Sequence, residues 1–107
     1  MKYSLSGLKL AFKKEESIRL ELIALIILLI VMAFVPWPVW KKAALVAVFL
    51  LVPLTELVNS AIEDICDLVS PGIHPSVKAA KDKGSAAVLV AIVMGVVCLV
   101  ALIAWPA

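Results

Sequence analysis

Residues 84–105 contain no charged side chain, and no other feature constrains this chain so tightly. A helix that crosses a bilayer needs about 20 consecutive, mostly apolar residues, because backbone groups in lipid must pair within their own segment. This run has that length. A second run, residues 22–35, is equally apolar but shorter. It reaches crossing length only by drawing in Pro36-Trp37-Pro38-Val39-Trp40, where tryptophans beside prolines, followed by Lys41 and Lys42, read as an interfacial anchor and a turn. A third candidate starts at Ala43, runs to about Ile62, contains Pro53 and is interrupted by Thr55, Glu56 and Asn59. Composition agrees: 64% of the 107 residues are hydrophobic and 17% are charged. Soluble domains carry about 25% charge, and one this short exposes about a third of its unfolded surface, which excludes a soluble monomer. The net charge of +2 is too small to point to nucleic acid. Cys66 and Cys98 stand far apart with no C-x-x-C motif, so they read as small apolar residues rather than a disulfide or zinc framework.

These observations predict an all-α membrane protein in a single domain, 1–107. The expected elements are a surface helix over about 3–19 and spans over about 20–36, 42–63 and 84–105. In the N-terminal helix Leu5, Leu8 and Phe12 form one stripe with Lys2, Lys9 and Lys13 around it, the pattern of an amphipathic helix lying along the membrane surface. A cleaved signal peptide fits badly: basic and acidic residues precede the apolar run, and Pro36-Trp37-Pro38 is no small-residue cleavage site. With three spans the N-terminus and the connection between the last two share one side. Lys2, Lys9, Lys13, Lys14, Arg19, Lys78, Lys81 and Lys83 fall there, against Lys41 and Lys42 on the other. The excess predicts a cytoplasmic N-terminus.

In such a chain the ionisable residues within or beside the spans are the functional candidates, because a charge at the bilayer centre costs roughly 2.5–3.5 kcal/mol on insertion scales. Glu56 lies deepest. Asn59, Glu63 and Asp67 follow it at i+3, i+7 and i+11, so a line of polar groups runs along one helix stripe to the membrane edge. The bland alternative is that Glu56 and Asn59 tie helices together by hydrogen bonds, which does not require three carboxylates on one stripe. Glu15 and Arg19 are spaced as an ordinary exposed helix pair. Lys78 and Lys83 are equally explained as positive-inside charge, and His74, between Gly72 and Pro75, as a loop residue. Carboxylates suit Mg²⁺, which binds through one or two of them plus substrate phosphates, and lysines balance phosphate charge. A deep carboxylate can act as general base toward a hydroxyl held at the membrane boundary. The set suggests phosphoryl transfer to a lipid alcohol, although proton-coupled transport also uses an intramembrane glutamate. G-x-x-x-x-G-K-[ST], G-x-G-x-x-G, G-x-S-x-G and H-E-x-x-H are all missing from the sequence.

The run Glu56-Leu57-Val58-Asn59-Ser60-Ala61-Ile62-Glu63, with Asp67 beyond it and then Ala80-Lys81-Asp82-Lys83-Gly84-Ser85-Ala86-Ala87, closely resembles the prokaryotic diacylglycerol kinases. The likeness extends to Tyr3-Ser4, Gly7-Leu8, Glu15, Arg19 and Glu21, and so to nearly the whole chain. It implies a homotrimeric helix bundle in the bacterial inner membrane, with ATP and Mg²⁺ used between subunits at the cytoplasmic face. Carried over onto this sequence, the resemblance makes Glu56 the catalytic base and Asn59 the residue that orients it. It makes Glu15 and Glu63 the metal ligands, and has Lys81 and Asp82 contact the phosphates and the nucleotide, with Tyr3 near the adenine. Asp67, Gly72 and His74 would border the nucleotide, and Ser17, Glu21, Lys42 and Ser85 would meet the lipid. The sequence departs from the family pattern at Lys14, where asparagine is familiar, and in its proline-rich first turn. With Tyr3 already inside the matching motif, contacts that other members make from a longer N-terminal extension are expected to be missing. Lys83-Gly84-Ser85-Ala86-Ala87 resembles the branch acting on diacylglycerol, and undecaprenol, the substrate of the sister branch, is the alternative. A proton-coupled transporter built on Glu56 is a further alternative, although such transporters generally need four spans. A membrane protein without turnover leaves the carboxylate stripe unexplained.

Overall fold

The computed structural model describes residues 2–70, 72 and 74–106. It consists of four α-helices: α1 (Lys2–Lys14), α2 (Glu16–Phe34), α3 (Val39–Val69) and α4 (Pro75–Ala104), with no strand among the described residues. The last three are long and apolar enough to cross a membrane.

Proline chemistry sets several of the boundaries. The residue before a proline is driven out of the helical region by its neighbour's ring. Val35, before Pro36, therefore ends α2 at φ −76° and ψ 131°. Trp105, before Pro106, ends α4 at φ −75° and ψ 128°. Pro75 opens α4 at a position where a missing N–H is harmless. His74 caps the same helix, its Nδ1 accepting from Ser76 N–H at 3.1 Å. Inside α3, Pro53 removes one ladder hydrogen bond, and two residues later Thr55 Oγ1 donates to the Val52 carbonyl at 2.9 Å.

The chain divides between Trp37 and Pro38 into two compact units. In the first, the helix begun at Lys2 breaks at Glu15, whose backbone is extended at φ −114° and ψ 113°. The spacing predicts a surface helix over about 3–19; the break falls earlier, at Glu15, and Arg19 caps the helix that ends there. The Arg19 Nη1 donates to the carbonyls of Phe12 (2.9 Å) and Lys13 (3.0 Å), which the end of α1 would otherwise leave open. No residue of α1 is buried, and in α2 only Ile18 and Met32 are.

The second unit is an antiparallel hairpin of α3 on α4. Leu45 and Cys66 of α3 and Gly84, Ala91 and Leu102 of α4 are buried. Small residues on α4 allow close approach: Gly95 lies over Val48, whose Cγ1 is 3.8 Å from where a Cβ would stand. One end of the hairpin is closed by Lys41, whose side chain is 1% exposed. Its Nζ donates to the carbonyls of Leu102 (3.0 Å) and Trp105 (2.6 Å), in the last turn of α4 where carbonyls have no partner within the helix. Trp40 and Trp105 meet edge to face beside it, centroids 6.4 Å apart. At about 1.5 Å per residue α3 and α4 are each about 45 Å long, so they outreach a hydrocarbon layer of about 30 Å. The surplus lies at the opposite end, where the charges are. Many of the hairpin's other large apolar side chains are exposed, Leu54, Leu89 and Val97 among them, as expected of a surface that meets lipid.

Candidate active site

The helical rise of α3 sets the depth of its polar groups. Glu56 lies about 25 Å along the axis from Val39, still within a hydrocarbon layer of about 30 Å, and Glu63 and Asp67 follow about 10 and 17 Å further on. Glu56 is half-buried, and its Oε2 is buried with no hydrogen-bond partner. Asn59, one turn later, donates from Nδ2 to Glu63 Oε1 at 3.2 Å, while its Oδ1 is buried without a partner. The bond from Asn59 to Glu63 joins two members of the stripe. The stripe's inner two residues each keep a buried acceptor open, whereas Glu63 reaches an exposed position. Buried acceptors are rarely left unmet, so two together mark a place where a donor is expected from outside the chain.

The start of α4 runs beside this stripe. Lys81 Nζ crosses to Asp67 Oδ1 at 2.7 Å, and Lys78 Nζ holds Asp82 Oδ2 at 2.7 Å one turn along α4. The hydrogen bond to Asp67 raises the Lys81 ammonium above its ordinary value of 10.5, and the bond to Asp82 does the same for Lys78. Exposed pairs such as these add little to stability but hold the side chains in place. Between α3 and α4 a cavity of about 620 Å³, lined by Thr55, Val58, Asn59, Lys83, Gly84 and others, opens onto the asparagine. It is walled mainly by aliphatic groups, with Lys83 the one residue of its lining that carries a charge.

The hairpin carries Glu56, Asn59, Glu63, Asp67, Lys81 and Asp82, six of the residues singled out from the sequence, and joins Asn59 to Glu63 and Lys81 to Asp67, while Asp82 pairs with Lys78. Gly72 and His74 lie exposed in the connection, where His74 serves as the cap of α4. Ser85 is exposed on α4 and Lys42 half-buried near the start of α3. Tyr3, Glu15, Ser17 and Glu21 belong to the N-terminal unit: Tyr3 and Ser17 are exposed, Glu15 is the extended residue between α1 and α2, and Glu21 is half-buried on α2. Spacing missed two residues. Lys41 looks like one more interfacial lysine, yet α4 ends without a polar residue of its own to meet its last carbonyls, and that was the available signal. Gly84 was legible only as part of a motif; its closeness to Asn59 depends on the register between two helices.

No cluster of three or more Asp, Glu, His or Cys that could cage a cation occurs among the described residues. Mg²⁺ fits without one, since it takes one or two carboxylates and completes its shell with phosphate oxygens and water. Glu63, exposed and with one oxygen engaged by Asn59, has the right chemistry for such a ligand.

The family model of prokaryotic diacylglycerol kinase matches residues 2–103. A protein of Pseudomonas aeruginosa named diacylglycerol kinase is 45% identical over 91 residues, which is 84% of this chain and 73% of that protein. Its namesake in Haemophilus influenzae is 38% identical over 97 residues, covering 90% of this chain and 82% of its own length. The one in Escherichia coli K12 is 34% identical over 95 residues, covering 89% and 78%. With the family model matching almost end to end, the chain belongs to the prokaryotic diacylglycerol kinase family.

Proposed function

We propose that this protein phosphorylates diacylglycerol to phosphatidic acid, using ATP with Mg²⁺ at the cytoplasmic face of the inner membrane. One observation carries the reading beyond family membership: the buried, unpartnered Oε2 of Glu56, set inside the apolar part of α3. A buried acceptor without a donor is costly, and a substrate hydroxyl is the donor that would complete it. Glu56 would accept the proton of the lipid's free hydroxyl as the hydroxyl oxygen bonds to the γ-phosphorus. The bond from that phosphorus to the β–γ bridging oxygen breaks, and ADP departs with the electron pair. Asn59 would orient Glu56, and its carboxamide also donates to Glu63. Lys81 and Asp82 would contact the phosphates and the nucleotide, Lys81 exchanging its present partner Asp67 for phosphate oxygen. Glu15 and Glu63 would hold Mg²⁺, which screens phosphate charge when bound. Tyr3, Asp67, Gly72 and His74 complete the nucleotide side of this proposal, and Ser17, Glu21, Lys42 and Ser85 the lipid side. The same reading includes a cytoplasmic N-terminus, α1 lying on the membrane surface, and a homotrimer.

The test is a transfer assay on purified protein in mixed micelles with γ-labelled ATP, Mg²⁺ and either diacylglycerol or undecaprenol. Label in phosphatidic acid is the expected result. Label confined to undecaprenyl phosphate would move the activity to the sister reaction, and label in neither lipid would overturn the reading.

A further inference from the structure

We propose that Gly84 is a positioning residue: it keeps the Asn59 carboxamide turned toward Glu63, and does so because it has no side chain. The inference rests on the reading of Asn59 as part of the catalytic machinery. Gly84 is buried on α4 facing α3, and a Cβ added there would run into Asn59 Oδ1, with Asn59 Cγ at 3.2 Å and Cβ at 3.7 Å. The carboxamide therefore occupies the space that any other residue at 84 would claim. In that space its Nδ2 reaches Glu63 Oε1 at 3.2 Å and its Oδ1 stays buried and open.

What the added methyl would meet is as informative as how closely. The nearest atom is the far end of a rotatable side chain, not the backbone of α3. Alanine at 84 can be accommodated by turning Asn59 away, with the two helices left at their present separation. Glycine inside a helix is conformationally unfavourable relative to alanine, so the exchange should not weaken α4 itself. The consequence should fall on the direction of one carboxamide, and through it on Glu63 and the stripe to Glu56. The other glycine of α4 supplies the contrast. At Gly95 an added Cβ would sit 3.8 Å from Val48 Cγ1, an ordinary contact, and no polar group of the site is involved.

The experiment compares Gly84→Ala, Gly95→Ala, Asn59→Ala and the double variant Gly84→Ala/Asn59→Ala, measuring kcat and KM for both substrates together with the unfolding midpoint. Small misplacements of a catalytic group cost up to about a hundredfold in rate, so kcat of Gly84→Ala should fall by about tenfold or more. Its KM values and midpoint should stay near wild type, and Gly95→Ala should stay near wild type in all three. The discriminating readout is coupling: once Asn59 is alanine, adding Gly84→Ala should change neither residual turnover nor midpoint. If Gly84→Ala lowers the midpoint, the double variant should restore it, because the carboxamide that collides is gone. Wild-type kcat in Gly84→Ala, with Asn59→Ala inactive, overturns this inference alone. So does a Gly84→Ala defect of equal size in both backgrounds, or a lowered midpoint that the double variant fails to restore. Wild-type turnover in Asn59→Ala overturns this inference together with the catalytic reading of Asn59.

Discussion

Replacing Lys41 by methionine keeps the aliphatic stem and removes the ammonium that closes the far end of the α3–α4 hairpin. That ammonium donates to the Leu102 carbonyl at 3.0 Å and the Trp105 carbonyl at 2.6 Å, from a side chain that is 1% exposed. Hydrogen bonds to charged donors contribute about 1.5–3 kcal/mol each in net terms, and a cation at a helix C-terminus adds about 0.3–1 kcal/mol. Against this stands the desolvation of the ammonium, which methionine relieves; the rotamer entropy lost on burial is similar for the two side chains. The decisive point is that only one side of the interaction is removed. The carbonyls of the last turn remain, and a buried polar group left unmet costs about 1–3 kcal/mol. The balance predicts a loss of about 2–4 kcal/mol for Lys41→Met. Unfolding by SDS titration from mixed micelles, followed by far-UV circular dichroism, measures it, with Lys42→Met as a neighbour that has no such contact to α4. A free energy of unfolding for Lys41→Met within about 0.5 kcal/mol of wild type would refute the reasoning, because it would mean the carbonyls find equivalent partners without the lysine.

Two further predictions concern the ends of the helices. Arg19→Met removes the donor to Phe12 and Lys13; backbone amides at the end of α1 and the start of α2 should then exchange faster, by about fivefold for a loss of about 1 kcal/mol, and unchanged exchange would contradict the cap. Because Asp67 raises the Lys81 pKa, the pair's contribution is complete below the ordinary value of 10.5 and is lost as pH rises through the raised value. Asp67→Asn should move the Lys81 titration, followed by NMR of its side chain, back toward that value; an unmoved curve would deny the pairing.

The helices were legible in the sequence because their causes are local. The charge-free stretch 84–105 and the X-Pro steps at 35–36 and 105–106 together locate most of α4 and the end of α2. The membrane-crossing part of α3 was read as 42–63, whereas the helix runs on to Val69. Hydropathy reports the stretch that suits lipid, while the helix continues through Glu63, Asp64 and Asp67 because nothing there breaks it before Ser70. The stripe Glu56–Asn59–Glu63–Asp67 followed from helical periodicity alone, and the Asn59–Glu63 hydrogen bond agrees with it. Contacts between helices were not legible. Lys81 meeting Asp67, Gly84 lying against Asn59 and Lys41 reaching Trp105 all depend on the register of α4 against α3, which no spacing within either helix encodes. The break at Glu15, and the Arg19 guanidinium that reaches back to the carbonyls of α1, are likewise not encoded by spacing.

The central claim is that Glu56 takes the proton from a lipid hydroxyl, and Glu56→Gln tests it most directly, since glutamine keeps the shape and cannot accept that proton. Transfer of label from γ-labelled ATP to diacylglycerol should be clear in the wild-type protein and fall by at least about a hundredfold in Glu56→Gln, with nucleotide binding and the unfolding midpoint retained. Turnover near wild type in a folded, nucleotide-binding Glu56→Gln protein would contradict the account.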